Sequence, residues 1–419
     1  MVTIESDHSV EVALLTGGAD RPYAFGLANA LLRKGTTLDL IGNDELDCAG
    51  FRNAPKVRFY NLRGNQQPEV GFSAKAFRVL KYYARLIRYA VVSKPALFHI
   101  LWNNKFEYFD RVILMLWYRL LGKQIVLTLH NINARQRDGK DTILNRMTLR
   151  VQYRLADHLF VHTEGMKRQL LEEFGEQNNR VSVVPFGINN AVPNTELTSR
   201  QAREKLGISS REKTMLFFGH IAPYKGLEYL VAAFQKIVSH SADYRLIIAG
   251  RPKNCERYWS KIRAAIDDDV RAGRVLLRDD FIPDEDTEIY MKAADVLVLP
   301  YRFIYQSGVL FLGYSFGLPV LAADVGSLRD EIIEGETGFV FRPEDPADLA
   351  RAIDLYFTSG LYGDLASRRS RIRGFAAARH SWDVVGEMTM KVYAEVARHA
   401  RRRPMGRGAA SASMDAKIN

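Results

Sequence analysis

The chain has 419 residues, 47% of them hydrophobic and 26% charged. That is the composition of a globular protein of two or three domains, and it excludes a fibrous or wholly disordered chain. No apolar run approaches the roughly 18 residues of a membrane span, and a net charge of +11 points to an anionic partner or surface.

The opening residues, MVTIESDHSVEVALLTGG, hold no basic segment followed by an apolar one, so no secretory signal is expected. A strand over 10–15 runs through Thr16, Gly17 and Gly18 into a helix over 24–32. Strands follow at 38–41, 57–60, 97–101, 125–129, 158–162 and 181–184. Helical patterns separate several of them, at 76–92, 108–121, 143–155 and 166–173. The stretch 189–199, NNAVPNTELTS, reads as a linker. Beyond it, strands are expected at 215–218, 245–249, 275–277, 296–299, 320–322 and 339–341, with helices in the gaps and a last helix over 382–400. The tail after residue 400 is basic, then small and polar, and is expected to stay disordered. Strands alternating with helices imply parallel sheets covered on both faces. If two such sheets face each other, their strand C-terminal loops meet at one cleft, where ligands of doubly wound folds bind.

Several segments carry chemistry. In 216–234, LFFGHIAPYKGLEYLVAAF, a strand passes through a polar turn into an amphipathic helix, with Lys225 at the helix mouth. Helix N-termini offer unpaired N–H groups and a partial positive charge that attract phosphate, and Lys225 adds a full charge. The plainer alternative is an exposed lysine at a helix start. Gly17 and Gly18 would let a loop approach a diphosphate or an acceptor closely, or simply make the strand-to-helix turn. They are not a complete G-x-G-x-x-G, so no dinucleotide site is read. Cys48 and Cys255 form no metal or redox spacing, and two free thiols in a reducing cytoplasm are expected. Asp267, Asp268 and Asp269 read as a solvated helix face.

In the helix over 76–92, Arg78, Lys81, Arg85 and Arg88 form one stripe at three- and four-residue spacing. Phe77, Leu80, Ala84, Ile87 and Val91 form an adjacent apolar stripe, flanked by Tyr82, Tyr83 and Tyr89. The pattern suits a helix lying on an anionic leaflet. A core-facing helix with a solvated basic face explains the apolar residues equally well. The helix over 109–121 is too short to span and is expected in the core.

The ordered set of motifs resembles the family 4 glycosyltransferases, which have the GT-B fold. The segments are LTGGADRPYAFGLANALLRKG, TLHNIN, VVPFGINN, FFGHIAPYKGL, IIAG, FIPDEDTEIYMKAADVLVLPY, FGLPVLAADVGSLRD, EGETGFVF and SWDVVGEMTMKVYAEV. The likeness is closest to versions used in bacterial exopolysaccharide assembly. It implies an α/β, GT-B-like architecture of two facing doubly wound Rossmann-like domains. Residues 1–192 would form the acceptor-side domain and 193–380 the nucleotide-sugar domain. A helix over 381–400 would cross back to the first domain, and 401–419 would be a disordered basic tail. The implied reaction moves a hexose from a nucleotide-diphosphate sugar to a saccharide acceptor in polysaccharide biosynthesis, mostly with retention and without metal or other cofactor. Polysaccharide transferases of this kind commonly use lipid-linked acceptors. The basic helix is therefore read as facing an anionic inner membrane surface and not nucleic acid, on a cytoplasmic protein.

The resemblance also implies site residues. Lys225 would neutralise the departing diphosphate, where charge grows in the transition state. His130 would approach the donor sugar's hydroxyls, with Asn131 and Asn133 nearby. His220 stands where the family has an arginine, a donor contact whose charge depends on pH. Gln306, Ser307 and Gly308 could supply donors at a helix N-terminus, and Asp330 matches a downstream glutamate. The family's E-x7-E pair falls on Ile304 and Leu312, or after a one-residue shift on Tyr305 and Gly313. Neither register restores a carboxylate, and Asp324 is merely close in sequence. Two alternatives therefore stand beside the transferase: a degenerate GT-B binding or scaffold protein, and a nucleotide-sugar epimerase.

Overall fold

The computed structural model describes residues 10–17, 21–64, 72–137, 140–188 and 192–402. Seven parallel strands build the first sheet: β1 (Glu11–Leu15), β2 (Thr37–Gly42), β3 (Val57–Asn61), β4 (Leu97–Ile100), β5 (Gln124–Thr128), β6 (His158–Val161) and β7 (Val181–Val183). Their order is β3-β2-β1-β4-β5-β6-β7. Six build the second: β8 (Lys213–Phe218), β9 (Tyr244–Ala249), β10 (Val275–Arg278), β11 (Val296–Leu299), β12 (Val320–Ala323) and β13 (Gly338–Phe341), in the order β10-β9-β8-β11-β12-β13. Each sheet reverses its winding at one point, between β1 and β4 and between β8 and β11. Runs such as Val296–Leu299, buried at every residue, suit a strand covered on both faces.

Helices α1 (Arg21–Arg33), α2 (Phe72–Val92), α3 (Ile143–Leu155), α4 (Leu227–Val238), α5 (Gly308–Ser315) and α6 (Trp382–Arg402) position the features described below. The last follows the helix Leu365–His380 of the second lobe, yet it packs on the first. Trp382 fills the space left by two missing side chains, since a Cβ on Gly26 of α1 or on Gly187 would collide with its indole. The Trp382 Nε1–H donates to the Ile188 carbonyl at 2.8 Å. Tyr393 binds His99 Nδ1 at 2.6 Å. Residues 192–198 carry no regular structure, but they are tied down. The main-chain N–H of Thr195 donates to Glu288 at 2.6 Å, and Thr198 forms a capping box with Gln201 for the next helix.

The burial of α2 sets aside the core-facing placement of its apolar stripe, and two further expectations about burial are corrected. On α2 the core face consists of Tyr82, Tyr83, Leu86, Tyr89 and Ala90, while Phe77, Leu80 and Val91 are 67%, 64% and 55% exposed. The tyrosines can be buried because each hydroxyl has a polar partner inside the lobe. Tyr82 donates to Asn104 Oδ1 at 2.6 Å, Tyr89 donates to Asp39 Oδ2 at 2.7 Å, and the Tyr83 oxygen accepts from the Phe106 N–H at 3.0 Å. The neighbouring helix 107–120 is likewise half outside: Leu114, Met115 and Tyr118 are buried, whereas Ile113, Leu116 and Leu120 are exposed. Asp269 also departs from expectation, being buried against Arg274 at 2.8 Å. Gly18, Asn189 and the tail from 403 onward lie outside the described residues.

Candidate active site

Residues of the two lobes meet at a cleft of about 450 Å³. Lys225 reaches it from the turn between β8 and α4. That turn is a single helical loop, Pro223–Lys225, closed by Gly226 at φ 63. A side chain at 226 would strike the Pro300 carbonyl, so glycine is required there. Lys225 is therefore not an exposed helix-start lysine. It is 6% exposed, with its Nζ 5.5 Å from the Tyr301 ring centroid and 5.9 Å from that of Phe217. Burial, and then the charge of Lys253, lower its pKa to about 8. Among the described residues no ion pair with Lys225 is found.

His220 lines the same wall. Burial, then the charges of Lys253 and Lys225, hold its imidazole below its ordinary range in the ligand-free protein. Ser307 caps α5 by accepting from the Leu310 N–H at 3.4 Å. Beside it, both amide atoms of Gln306 are buried without a hydrogen-bond partner among the described residues. A buried amide left unpaired is costly, which makes it a natural contact for a bound ligand.

On the opposite wall His130 stacks on Trp102, with ring centroids 4.1 Å apart and planes at 4°. The Tyr23 ring meets it edge-on at 4.6 Å. Its Nδ1 is 3.0 Å from His162 Nε2, and His162 Nδ1 is 3.0 Å from the Val184 carbonyl. A carbonyl only accepts, so His162 Nδ1 carries a proton. With both rings neutral, His162 Nε2 accepts from His130 Nδ1–H, and His130 Nε2 is left as a bare acceptor. That nitrogen is buried with no partner among the described residues. Desolvation keeps both rings uncharged, holding His162 at about 4 and His130 well below its usual value. His130 can therefore accept a hydrogen bond from a hydroxyl but cannot supply positive charge.

The remaining expected residues separate into two groups. Asn131 lines the cleft. Asn133 does not serve there, because it is buried and accepts from Asn145 at 2.9 Å. Gly17, at φ 62, makes room for the backbone of Trp102, with which a Cβ would collide. Asp330 is exposed and does not line the cleft. Its neighbour Glu331 turns inward instead, 3.0 Å from His380 Nε2. Ile304 and Leu312 do line the cleft, and among the described residues no carboxylate lines it with them. Sequence reading missed His162, Trp102 and Tyr23. The usable signal was a histidine following each of two adjacent parallel strands, β5 and β6.

Residues 16–192 match the family model described as Glycosyltransferase Family 4, and residues 212–358 match Glycosyl transferases group 1. The chain belongs to the family 4 glycosyltransferases. A D-inositol 3-phosphate glycosyltransferase of Acidothermus cellulolyticus is 31% identical over 245 residues, covering 57% of this chain and 53% of that protein. A namesake from Corynebacterium diphtheriae is 30% identical over 254 residues, covering 58% and 57%. This family 4 chain thus spans about half the length of the curated relatives it matches. Among solved structures, sucrose-phosphate synthase from Thermosynechococcus elongatus superposes with a TM-score of 0.72 at 18% identity, over 93% of this chain and 100% of that one. Anabaena HepE in complex with UDP-glucose gives 0.69 at 16%, over 93% and 100%. These likenesses place the family 4 chain in the GT-B fold.

Proposed function

We propose that the chain transfers a hexose from a nucleoside diphosphate sugar to a saccharide acceptor, with retention at the anomeric carbon. The observation that carries this is the pairing of Lys225 with the amide-rich start of α5 in one cleft. A buried cation with no ion pair, an imidazole and an amide with no hydrogen-bond partner among the described residues form a set of donors for a leaving diphosphate. Across the cleft His130 offers an acceptor to a sugar hydroxyl. Relatives named D-inositol 3-phosphate glycosyltransferase and a neighbour solved with UDP-glucose support this reading.

A second reading, a degenerate binding protein, is favoured by one specific observation: where the family pattern expects two glutamates, Ile304 and Leu312 line the cleft. Thermal melts with UDP, GDP and ADP, then with their sugars, decide between them together with product analysis. A transferase gains stability from one nucleotide and releases it from the matching sugar nucleotide. Stabilisation without any release of nucleotide favours the binding protein.

The acceptor is proposed to be lipid-linked and reached from the cytoplasmic face of an anionic membrane. Support comes from α2, whose outward face carries Phe77 and Leu80 beside Lys81, Arg85 and Arg88, all exposed. Among the described residues no helix is long and apolar enough to cross a membrane.

A further inference from the structure

We propose that the side-chain oxygen of Gln306 accepts a hydrogen bond from a hydroxyl of the sugar nucleotide, next to its diphosphate, an assignment that rests on the donor reading given above. Both amide atoms of Gln306 are buried at the cleft with no hydrogen-bond partner among the described residues. The same segment adds Ile304, Val309 and Leu312 to the cleft wall, and none of these side chains can pair with an amide.

The backbone on either side of Gln306 is fixed. Ser307 caps α5 by accepting from the Leu310 N–H. The Tyr305 carbonyl accepts from Ser327 twice, from its main-chain N–H at 3.3 Å and from its Oγ at 2.9 Å. Gly326, at φ 57, lies so close to the Ile304 carbonyl that a Cβ would collide with it. A side chain anchored in this way has little freedom left to lose when a ligand arrives.

Hydrogen-bond chemistry decides the ligand class. A primary amide offers two N–H donors and one acceptor oxygen. The N–H groups suit a diphosphate. The oxygen does not, because ionised phosphate oxygens only accept. Turning the amide over exchanges its two ends but leaves one buried acceptor either way. Across the cleft, His130 Nε2 is a second buried acceptor with no partner among the described residues. A bare anion satisfies Lys225 and leaves both acceptors unpaired, which is costly. A ligand that carries an anion and at least two hydroxyls satisfies all three groups, with one acceptor on each lobe. A sugar nucleotide is such a ligand. The hydroxyl that Gln306 reads has two possible sources, the transferred hexose and the ribose, which flank the diphosphate. Unlike the glutamates that the family pattern expects at 304 and 312, an amide reads a hydroxyl without placing negative charge beside that diphosphate.

The test is calorimetric titration of the full chain and of Gln306→Met with UDP, UDP-glucose and the monodeoxy forms of each, or with the GDP or ADP equivalents if the melts select those bases. Deleting the hydroxyl that Gln306 reads should weaken binding about tenfold in the parent and leave binding to Gln306→Met unchanged. That pattern at a glucose position assigns the hexose, and at a ribose position the ribose. Losses equal in parent and variant at every position, or no loss at any, overturn the proposal. Methionine matches glutamine in length and removes the unpaired amide, so the ligand-free variant should melt no lower than the parent. A lower melting temperature would show the amide serving the fold, and also overturns the proposal. A parent that binds none of these nucleotides overturns the donor reading, and the role of Gln306 falls with it. A chain that shows the expected pattern yet transfers nothing overturns the transferase reading alone.

Discussion

In the proposed reaction Lys225 serves a ligand at the expense of its own fold. Its pKa falls from 10.5 to about 8 because burial disfavours the charged form. At about 1.36 kcal/mol per unit, the charged side chain costs the ligand-free protein on the order of 3 kcal/mol below pH 8. The unfolded chain binds more protons between pH 8 and 10.5, so this cost shrinks across that window and is gone above it. Lys225→Met should therefore melt higher than the parent at pH 7 without ligand, and the gap should close as pH rises. The same variant should lose the stabilisation given by a nucleoside diphosphate. Melting curves with and without nucleotide at pH 7 and pH 10 check both statements. In the parent, kcat/KM should decline as pH rises through about 8, because it reports the proton on the free protein's lysine. Neither His130 nor His162 titrates near neutrality, so no limb near pH 6.5 is expected from them.

The position of Lys225 was legible in the sequence, because a strand, a tight turn and an amphipathic helix leave little choice of where the lysine falls. Its burial was not, since Tyr301, which follows β11, closes over it together with Phe217 of β8. The His130–His162 pair was invisible for a similar reason: its members lie 32 residues apart and meet only through the pairing of β5 with β6. The choice between Asp330 and Glu331 turns on one residue of register, fixed by the short helical turn Arg329–Glu331.

At the level of elements, strand positions were readable because parallel strands buried on both faces are continuous apolar runs. The orientation of α2 was not. The sequence left two placements for Phe77 and Leu80, a leaflet or the core, and tyrosine hydroxyls with partners inside the lobe take the core face. The exposed Phe77 and Leu80 then need an explanation. A leaflet that takes up these side chains while Lys81, Arg85 and Arg88 meet its headgroups is the proposed one. Phe77→Ser/Leu80→Ser should leave the melting temperature nearly unchanged, because the side chains are already in water. It should reduce co-sedimentation with anionic vesicles several-fold, at about 25 cal/mol per Å² of apolar surface no longer buried. Salt should release the parent. Equal recovery of parent and variant with anionic vesicles would remove α2 from any membrane contact.

For the whole molecule, the chain's return to its first lobe is the feature that ties the two sheets together. Trp382 begins that return, seated over Gly26 and Gly187 and bonded to the Ile188 carbonyl. Replacing a buried tryptophan by alanine costs about 3–5 kcal/mol through lost burial and the cavity left behind. Here the loss falls at the junction and not within either sheet. Trp382→Ala should therefore lower the melting temperature of the N-terminal lobe, and scanning calorimetry should resolve one transition into two. Arg33→Ala is the control. Its ion pair with Asp383 joins the same two helices at 2.9 Å, but both side chains are more than half exposed. Such a pair contributes little, at about 0–1 kcal/mol. A single transition that shifts equally in both variants would mean that the two lobes are held together elsewhere, at contacts such as the stacking of Phe186 on Phe311.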